Sequence, residues 1–492
     1  MIPCLHGLLI GPAVGAAFAP HMASSEVLGE VNAAHADDAT WVLTSSFVIL
    51  TMQSGFAMLE MGSSGKGHEV NILVKNVYDV VCGALAYYLL GYGISYGSPS
   101  NAFTGLGDYL MDVSATDPIS SGLVFSNFIF QFSFAATSTT IVSGCLAMRC
   151  RFILYCLYSF YAVLVYSFVA HWVWSANGWL AQLGVHDFAG SGPVHLVGAV
   201  NGLIGILVLG PRHGRFDGTR PPEDFRPSSS SSLLIGLFML WWGWIGFNCG
   251  SSFGITQFKW IVATRAGVTT INATAGGGIA ALLYTKAKSR GRFIIADEIA
   301  NGILGSLVAI TATCACVHPP EAPLIGAVGG ILALLTNDWI LHLKIDDPVG
   351  AIGVHGASAV WGILAVGLFA DGNLPGIEVA SGLSRGGGLE LLGIQLLLVL
   401  SIFCWSFLTV LPFFLLIGWA FSGDWRNPRK GLRVGVAAEL NGLDSAYHGC
   451  PPKKKKKTHE PTAVQENASV EDIEDVADDV SDVELPALCA EL

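Results

Sequence analysis

Two stretches of this chain set an acid and an imidazole at one fixed spacing. Asp187-Phe-Ala-Gly-Ser-Gly-Pro-Val-His195 and Asp347-Pro-Val-Gly-Ala-Ile-Gly-Val-His355 each read Asp, seven small or apolar residues, then His. Each opens an apolar run. Ionisable side chains inside such runs are costly to keep dry, so they are the first candidates for function. A lone His there could be a packing residue bonded to a neighbouring carbonyl. Two at matching places, 160 residues apart, argue for one paired site. A His pair in an apolar channel can hold one proton and pass it from ring to ring.

A second group is aromatic. Phe130 and Phe134 stand at i, i+4 and share a helix face, as do Phe247 and Ser251, with Trp244 one turn earlier. Trp174 closes another apolar run. The plain reading is aromatic core and interfacial belt. The functional reading is a cation cage, since an aromatic face attracts a small cation by about 2 kcal/mol when desolvated. The Ser251 hydroxyl would add one acceptor. Together these residues suggest an outer site for a small cation above an apolar pore.

Such residues need a scaffold, and composition says which kind. Hydrophobic residues make up 52% of 492 and charged residues 13%, about half the roughly 25% of soluble chains. A soluble globule and a largely disordered chain are both excluded. Apolar runs of about 20 residues can cross a bilayer. Eleven are predicted, at 41–62, 76–97, 121–147, 152–174, 193–210, 231–253, 260–285, 296–317, 321–341, 349–371 and 392–421. The Asp…His stretches open the fifth and the tenth. A unit of five spans used twice must be inverted in the membrane, a common transporter plan with its site at the midplane. The expectation is therefore an all-α integral membrane protein, with an inverted five-helix repeat plus an eleventh helix.

With eleven spans the termini lie on opposite sides. Placing the N-terminus outside puts 22 of the 25 Lys and Arg in inner loops and the tail, leaving Lys259, Arg265 and Arg385. The positive-inside rule thus predicts N-out, C-in, with residues 1–40 extracellular and a cleavable signal peptide as one reading of 1–20. Residues 422–450 form a polar cytosolic tail. Residues 451–492 form a disordered extension, the five-lysine run Lys453–Lys457 followed by a segment that supplies −11 of the net charge of −12. The body is nearly neutral and offers no nucleic-acid surface. Eleven scattered cysteines show no CxxC pair and suggest neither disulfides nor a metal centre.

The motifs resemble the ammonium transporter family (Amt/Mep/Rh), closest to its Amt branch. The matching stretches are Met52 to Glu60, Phe130 to Thr137, Ala170 to Trp174, Asp187 through His195, Trp244 to Ser251, Asp346 through Gly356, and Gly442-Leu-Asp444 to His448-Gly449, in family order. The resemblance implies a homotrimer with one pore per subunit in the plasma membrane, and no cofactor. It implies that Phe134, Trp174 and Ser251 recruit the cation and that Asp187 shapes their site through backbone and hydroxyl hydrogen bonds. Phe134 and Phe247 would be the gate. His195, His355 and Trp244 would line the pore. Gly442 and Asp444 would belong to a regulatory tail that couples subunits.

Two positions depart from the family pattern. Ala147-Met148-Arg149 replaces Ala-Glu-Arg in the third inner loop, which puts that loop's contacts with the tail in question. Ala446 stands where a phosphorylatable Thr is frequent, so shut-off by phosphorylation there is not expected.

Three other classes remain. The acidic extension, with Ser469 and Ser481 among carboxylates, motivates an ammonium sensor that signals through its tail to a cytosolic regulator. A neutral-gas pore of the Rh kind is opposed by the Trp174 and Ser251 cation site. An enzyme is disfavoured, because no nucleophile or metal constellation accompanies the histidines.

Overall fold

A computed structural model describes residues 25–111 and 118–451. The expectations for residues 1–20 and for the extension after 451 lie outside the described residues. Every described long element is helical, as apolar segments require when no water is at hand to satisfy backbone N–H and C=O groups.

The helices are α1 (Ser25–Ser63), α2 (Glu69–Tyr96), α3 (Pro118–Leu146), α4 (Phe152–Trp174), α5 (Ser191–Leu209), α6 (Ser230–Gly250), α7 (Lys259–Lys288), α8 (Ala296–Thr311), α9 (Ala322–His342), α10 (Ile352–Phe369) and α11 (Glu390–Ser422). Ten of them are long and apolar enough to cross a bilayer. The exception is α8, whose 16 residues rise only about 24 Å. The run predicted over 296–317 stops at Thr311 because Phe188 N–H and Ala189 N–H donate to the carbonyls of Ala312 and Thr311. At the other end of the chain, α1 begins at Ser25, well before the predicted 41, so residues 25–40 continue the first helix.

Small residues let the helix axes close. A Cβ added at Gly62 of α1 would stand 2.5 Å from Leu233 N of α6, and one at Gly236 of α6 would stand 2.5 Å from Leu59 N of α1. The same device joins α7 to α9, where Gly276 meets Pro323 and Gly326 meets Ala273.

α5 and α10 open alike. Each begins with a π-helical segment, Ser191–Leu196 and Ile352–Ala357. Each is preceded by a glycine at positive φ, Gly190 at 100° and Gly350 at 75°. π turns are rare and concentrate at functional sites. Here each widened turn carries one of the two histidines.

Candidate functional site

Asp187 and Asp347 build the two turns. Oδ1 of Asp187 accepts from Gly190 N–H (2.8 Å) and Ser191 N–H (2.9 Å), and Oδ2 accepts from Gly192 N–H (2.6 Å). Asp347 repeats the pattern with Gly350 N–H (3.0 Å) and Ile352 N–H (2.8 Å). A carboxylate matched to several N–H donors satisfies the first turn of a helix that would otherwise expose them in a dry interior. Asp187 thus acts on backbone amides, and its own carbonyl accepts from Trp174 Nε1 at 2.8 Å.

The turns bring His195 and His355 together. Their Nδ1 atoms lie 3.2 Å apart, and the rings stack at 5.2 Å between centroids with 20° between planes. Both are buried. One Nδ1 must donate and the other accept, so the pair shares one hydrogen between two rings. His195 Nε2 is buried and has no hydrogen-bond partner among the described residues. The walls are aromatic. Trp244 stacks on His195 at 4.8 Å and 14°, and its Nε1 donates to Thr311 Oγ1 at 2.8 Å. Phe56 stands 6.1 Å from His355.

Next to the histidines, Phe134 and Phe247 stack face to face at 3.9 Å and 7°. Rings this close leave no gap between their faces. Phe247 is 5.7 Å from His195, so the stacked rings lie directly against the His pair. On its other side Phe134 meets Phe130 (4.8 Å) and Trp174 (5.9 Å). Ser251 follows α6, and its hydroxyl donates to the Phe247 carbonyl at 2.9 Å, leaving its oxygen free to accept. Seven of the eight residues expected for recruitment, gate and pore adjoin one another in one column: Trp174 and Ser251, then Phe134 on Phe247, then His195 on His355, with Trp244 beside them. The eighth, Asp187, bonds among the described residues only to the turn that opens α5 and to Trp174.

The tail is a separate site. Gly442 sits at φ 106°, and a Cβ there would lie 2.7 Å from the Gly67 carbonyl. Asp444 N–H donates to that carbonyl at 3.0 Å, and Asp444 Oδ1 accepts from Asn71 N–H at 2.8 Å in the first turn of α2. The contact of the third loop with the tail, questioned on the sequence, is present. Val434 N–H donates to the Arg149 carbonyl at 3.0 Å, and Arg151 N–H to the Leu432 carbonyl at 3.1 Å. These are backbone bonds, so they survive the change of a Glu to Met148. Met148 takes a different part, with its sulfur accepting from Gly65 N–H at 3.3 Å.

Sequence reasoning missed two clusters. Asp346 accepts from Arg212 Nε (2.8 Å), N–H (2.8 Å) and a terminal guanidinium nitrogen (2.7 Å), while Arg149 donates to its carbonyl at 2.9 Å. Burial alone would raise its carboxyl. Arg212, then Arg149, outweigh burial and hold it well below the ordinary 3.8. The second cluster joins α1, α2 and α3. Glu60 accepts from Ser143 Oγ and from Asn76 Nδ2 (2.9 Å), and Asp79 accepts from Thr139 and Thr140 hydroxyls (3.0 and 2.7 Å). Its members are scattered along the chain, and only the buried position of Glu60 and Asp79 in apolar runs could have flagged them.

The chain has clear relatives among known proteins. Residues 40–451 match the model of the Ammonium Transporter Family. A Caenorhabditis elegans relative is 39% identical over 87% of this chain, which spans 62% of that relative's length. Ammonium transporter 1 member 3 of Solanum lycopersicum is 37% identical over 84% of this chain and 92% of its own. A solved structure titled Sensor Amt Protein superposes with a TM-score of 0.75 at 32% identity, covering 85% of this chain and 99% of that one.

Proposed function

The chain belongs to the ammonium transporter family, and from that premise we propose that it recruits ammonium, strips one proton from it, and conducts ammonia past the His195–His355 pair. The observation that carries this reading is the column itself: a part-exposed Trp174 and a Ser251 acceptor stand on one side of a stacked ring pair, and a shared-hydrogen His pair stands on the other. In this reading eleven segments span the bilayer, α8 doing so together with the turns that follow it to Val317, α1–α5 and α6–α10 are inverted repeats, and the N-terminus is outside. The assembly is a homotrimer in the plasma membrane, with a tail around Gly442 and Asp444.

Magnitudes favour deprotonation. A bare cation in an apolar pore costs on the order of tens of kcal/mol in the Born limit. Removing a proton from a lysine-like ammonium at pH 7 costs roughly 4.6 kcal/mol. The aromatic cage concentrates the cation, Phe134 and Phe247 admit only the small neutral product, and the histidines offer it hydrogen-bond partners in an otherwise apolar passage. Potassium carries the same charge but has no proton to give up, so it stays outside.

The test is methylammonium-evoked current and labelled methylammonium uptake, measured together in oocytes for the native chain and for His195→Ala. Current that tracks uptake and disappears in the variant supports proton passage through the His pair. Uptake without current means a neutral ammonia route. If a chain that reaches the surface gives neither, weight moves to the second reading, an ammonium sensor signalling through its tail. The similarity to the structure titled Sensor Amt Protein favours that reading specifically. Deleting residues 451–492 separates the two, because lost signalling with intact uptake identifies a sensor.

A further inference from the structure

We propose that Phe253 is a specificity-determining wall of the cation site and that Asp38 is the positioning residue that holds it there. This rests on the recruitment reading given above. Phe253 lies two residues beyond Ser251, and its ring meets Phe130 edge-on at 4.9 Å. Phe130 and Phe134 are buried, whereas Phe253 and Trp174 are each part-exposed. The aromatic row therefore runs Phe253, Phe130, Phe134, Trp174, with its two part-exposed members at the ends. A cation arriving from solvent meets Phe253 and Trp174 before it meets the closed rings.

The backbone at Phe253 is unusual. Its φ is +51°, a left-handed conformation that a bulky residue adopts only where the surroundings impose it. The imposing groups are visible. The Asp38 carboxylate accepts from Ile255 N–H (2.8 Å), Thr256 N–H (2.9 Å) and Thr256 Oγ1 (2.9 Å), and pairs with Lys259 Nζ at 2.6 Å. Lys259 Nζ also reaches the Phe253 carbonyl at 3.4 Å. Gly254 lets the carboxylate approach, since a Cβ there would collide with Asp38. Trp41 Nε1 donates to Ser252 Oγ at 3.1 Å from the same helix. The start of α1 thus clamps the loop on both sides of Phe253. A ring fixed this way pays little ordering cost when a cation binds, and its face acts by the same attraction as the other aromatics.

Progressively fluorinated phenylalanines inserted at position 253 test the ring's face while keeping its shape. The readout is labelled methylammonium uptake in oocytes. The half-saturating concentration should rise stepwise with each fluorine, reaching about two- to fivefold, with the maximal rate kept. Phe253→Leu should match the most fluorinated ring. Asp38→Asn should raise half-saturation in the same direction and add nothing to Phe253→Leu. A flat series at 253 beside a graded fluoro-tryptophan series at 174 overturns this inference alone. Flat series at both positions overturn the cation site itself. Normal half-saturation in Asp38→Asn overturns the positioning role.

Discussion

His195 and His355 work as one group because their Nδ1 atoms compete for one hydrogen, and the turns that carry them are set by one carboxylate each. The two carboxylates should separate under mutation. Asp187→Asn keeps the acceptor for Gly190 and Ser191 N–H at best and turns a donor toward Gly192 N–H, besides losing the charge on all three bonds, so roughly 3 kcal/mol of stability should be lost. Asp347→Asn should cost a similar amount. Only Asp187 also holds Trp174, because its backbone carbonyl accepts from the indole Nε1; Asn keeps that carbonyl, but the carbonyl shifts with the turn once the carboxylate no longer fixes it. Asp187→Asn should therefore raise half-saturation for methylammonium uptake, while Asp347→Asn lowers thermal stability without that shift. Thermal unfolding and uptake of both variants check this. The Asp-to-His spacing is plain in the sequence and correctly marks the pair. The π turns are not, because a π segment keeps the composition of an α-helix and differs from it only in which carbonyl each N–H finds. The contact of Phe56 with His355 was equally hidden, since Phe56 reads as one more apolar residue of α1.

Between elements, the loops are held by buried charge. Asp346 gathers Arg212 and Arg149 from the ends of α5 and α3, and all three side chains are nearly sealed from solvent. Removing one partner of such a set leaves the other charges unpaired, so Asp346→Asn should destabilise by about 3–5 kcal/mol. The pH dependence follows from the sign of the shift. A carboxyl held below its ordinary 3.8 adds stability that is present above that value and fades as pH falls through the lower folded one. The gap in unfolding temperature between native protein and Asp346→Asn should stay constant near neutrality and shrink below about pH 4. A gap that instead widened in acid would mean that the carboxyl is not paired as described. Hydropathy located most of the helices within a few residues, because a bilayer imposes both length and composition. It overextended the run at 296–317, since apolar residues fill a buried turn as readily as a helix. It could not see pairings such as Arg149 with Leu432–Val434, which join segments far apart in sequence through backbone atoms alone.

Across the whole molecule, the question is how far the tail reaches. Within one chain it ties together the α1–α2 loop through Gly67 and Asn71, the α3–α4 loop through Arg149 and Arg151, and the segment after α5 through Glu439, which accepts from His213 N–H at 2.7 Å. Three loops are thus bonded to one short tail segment. Gly442→Asp strains a φ of 106° and drives a side chain toward the Gly67 carbonyl, so it should release all three at once. In the proposed homotrimer this makes subunit coupling measurable by mixing. If each tail governs only its own pore, co-expressing equal amounts of native and Gly442→Asp chains halves the native contribution to uptake. If one released tail silences its neighbours, only trimers with three native tails conduct, about one-eighth of the total for random assembly. The expectation is a dose curve that falls well below the straight line, at equal surface expression. A straight line would confine the tail to its own subunit, and unchanged uptake in Gly442→Asp alone would remove it from regulation altogether.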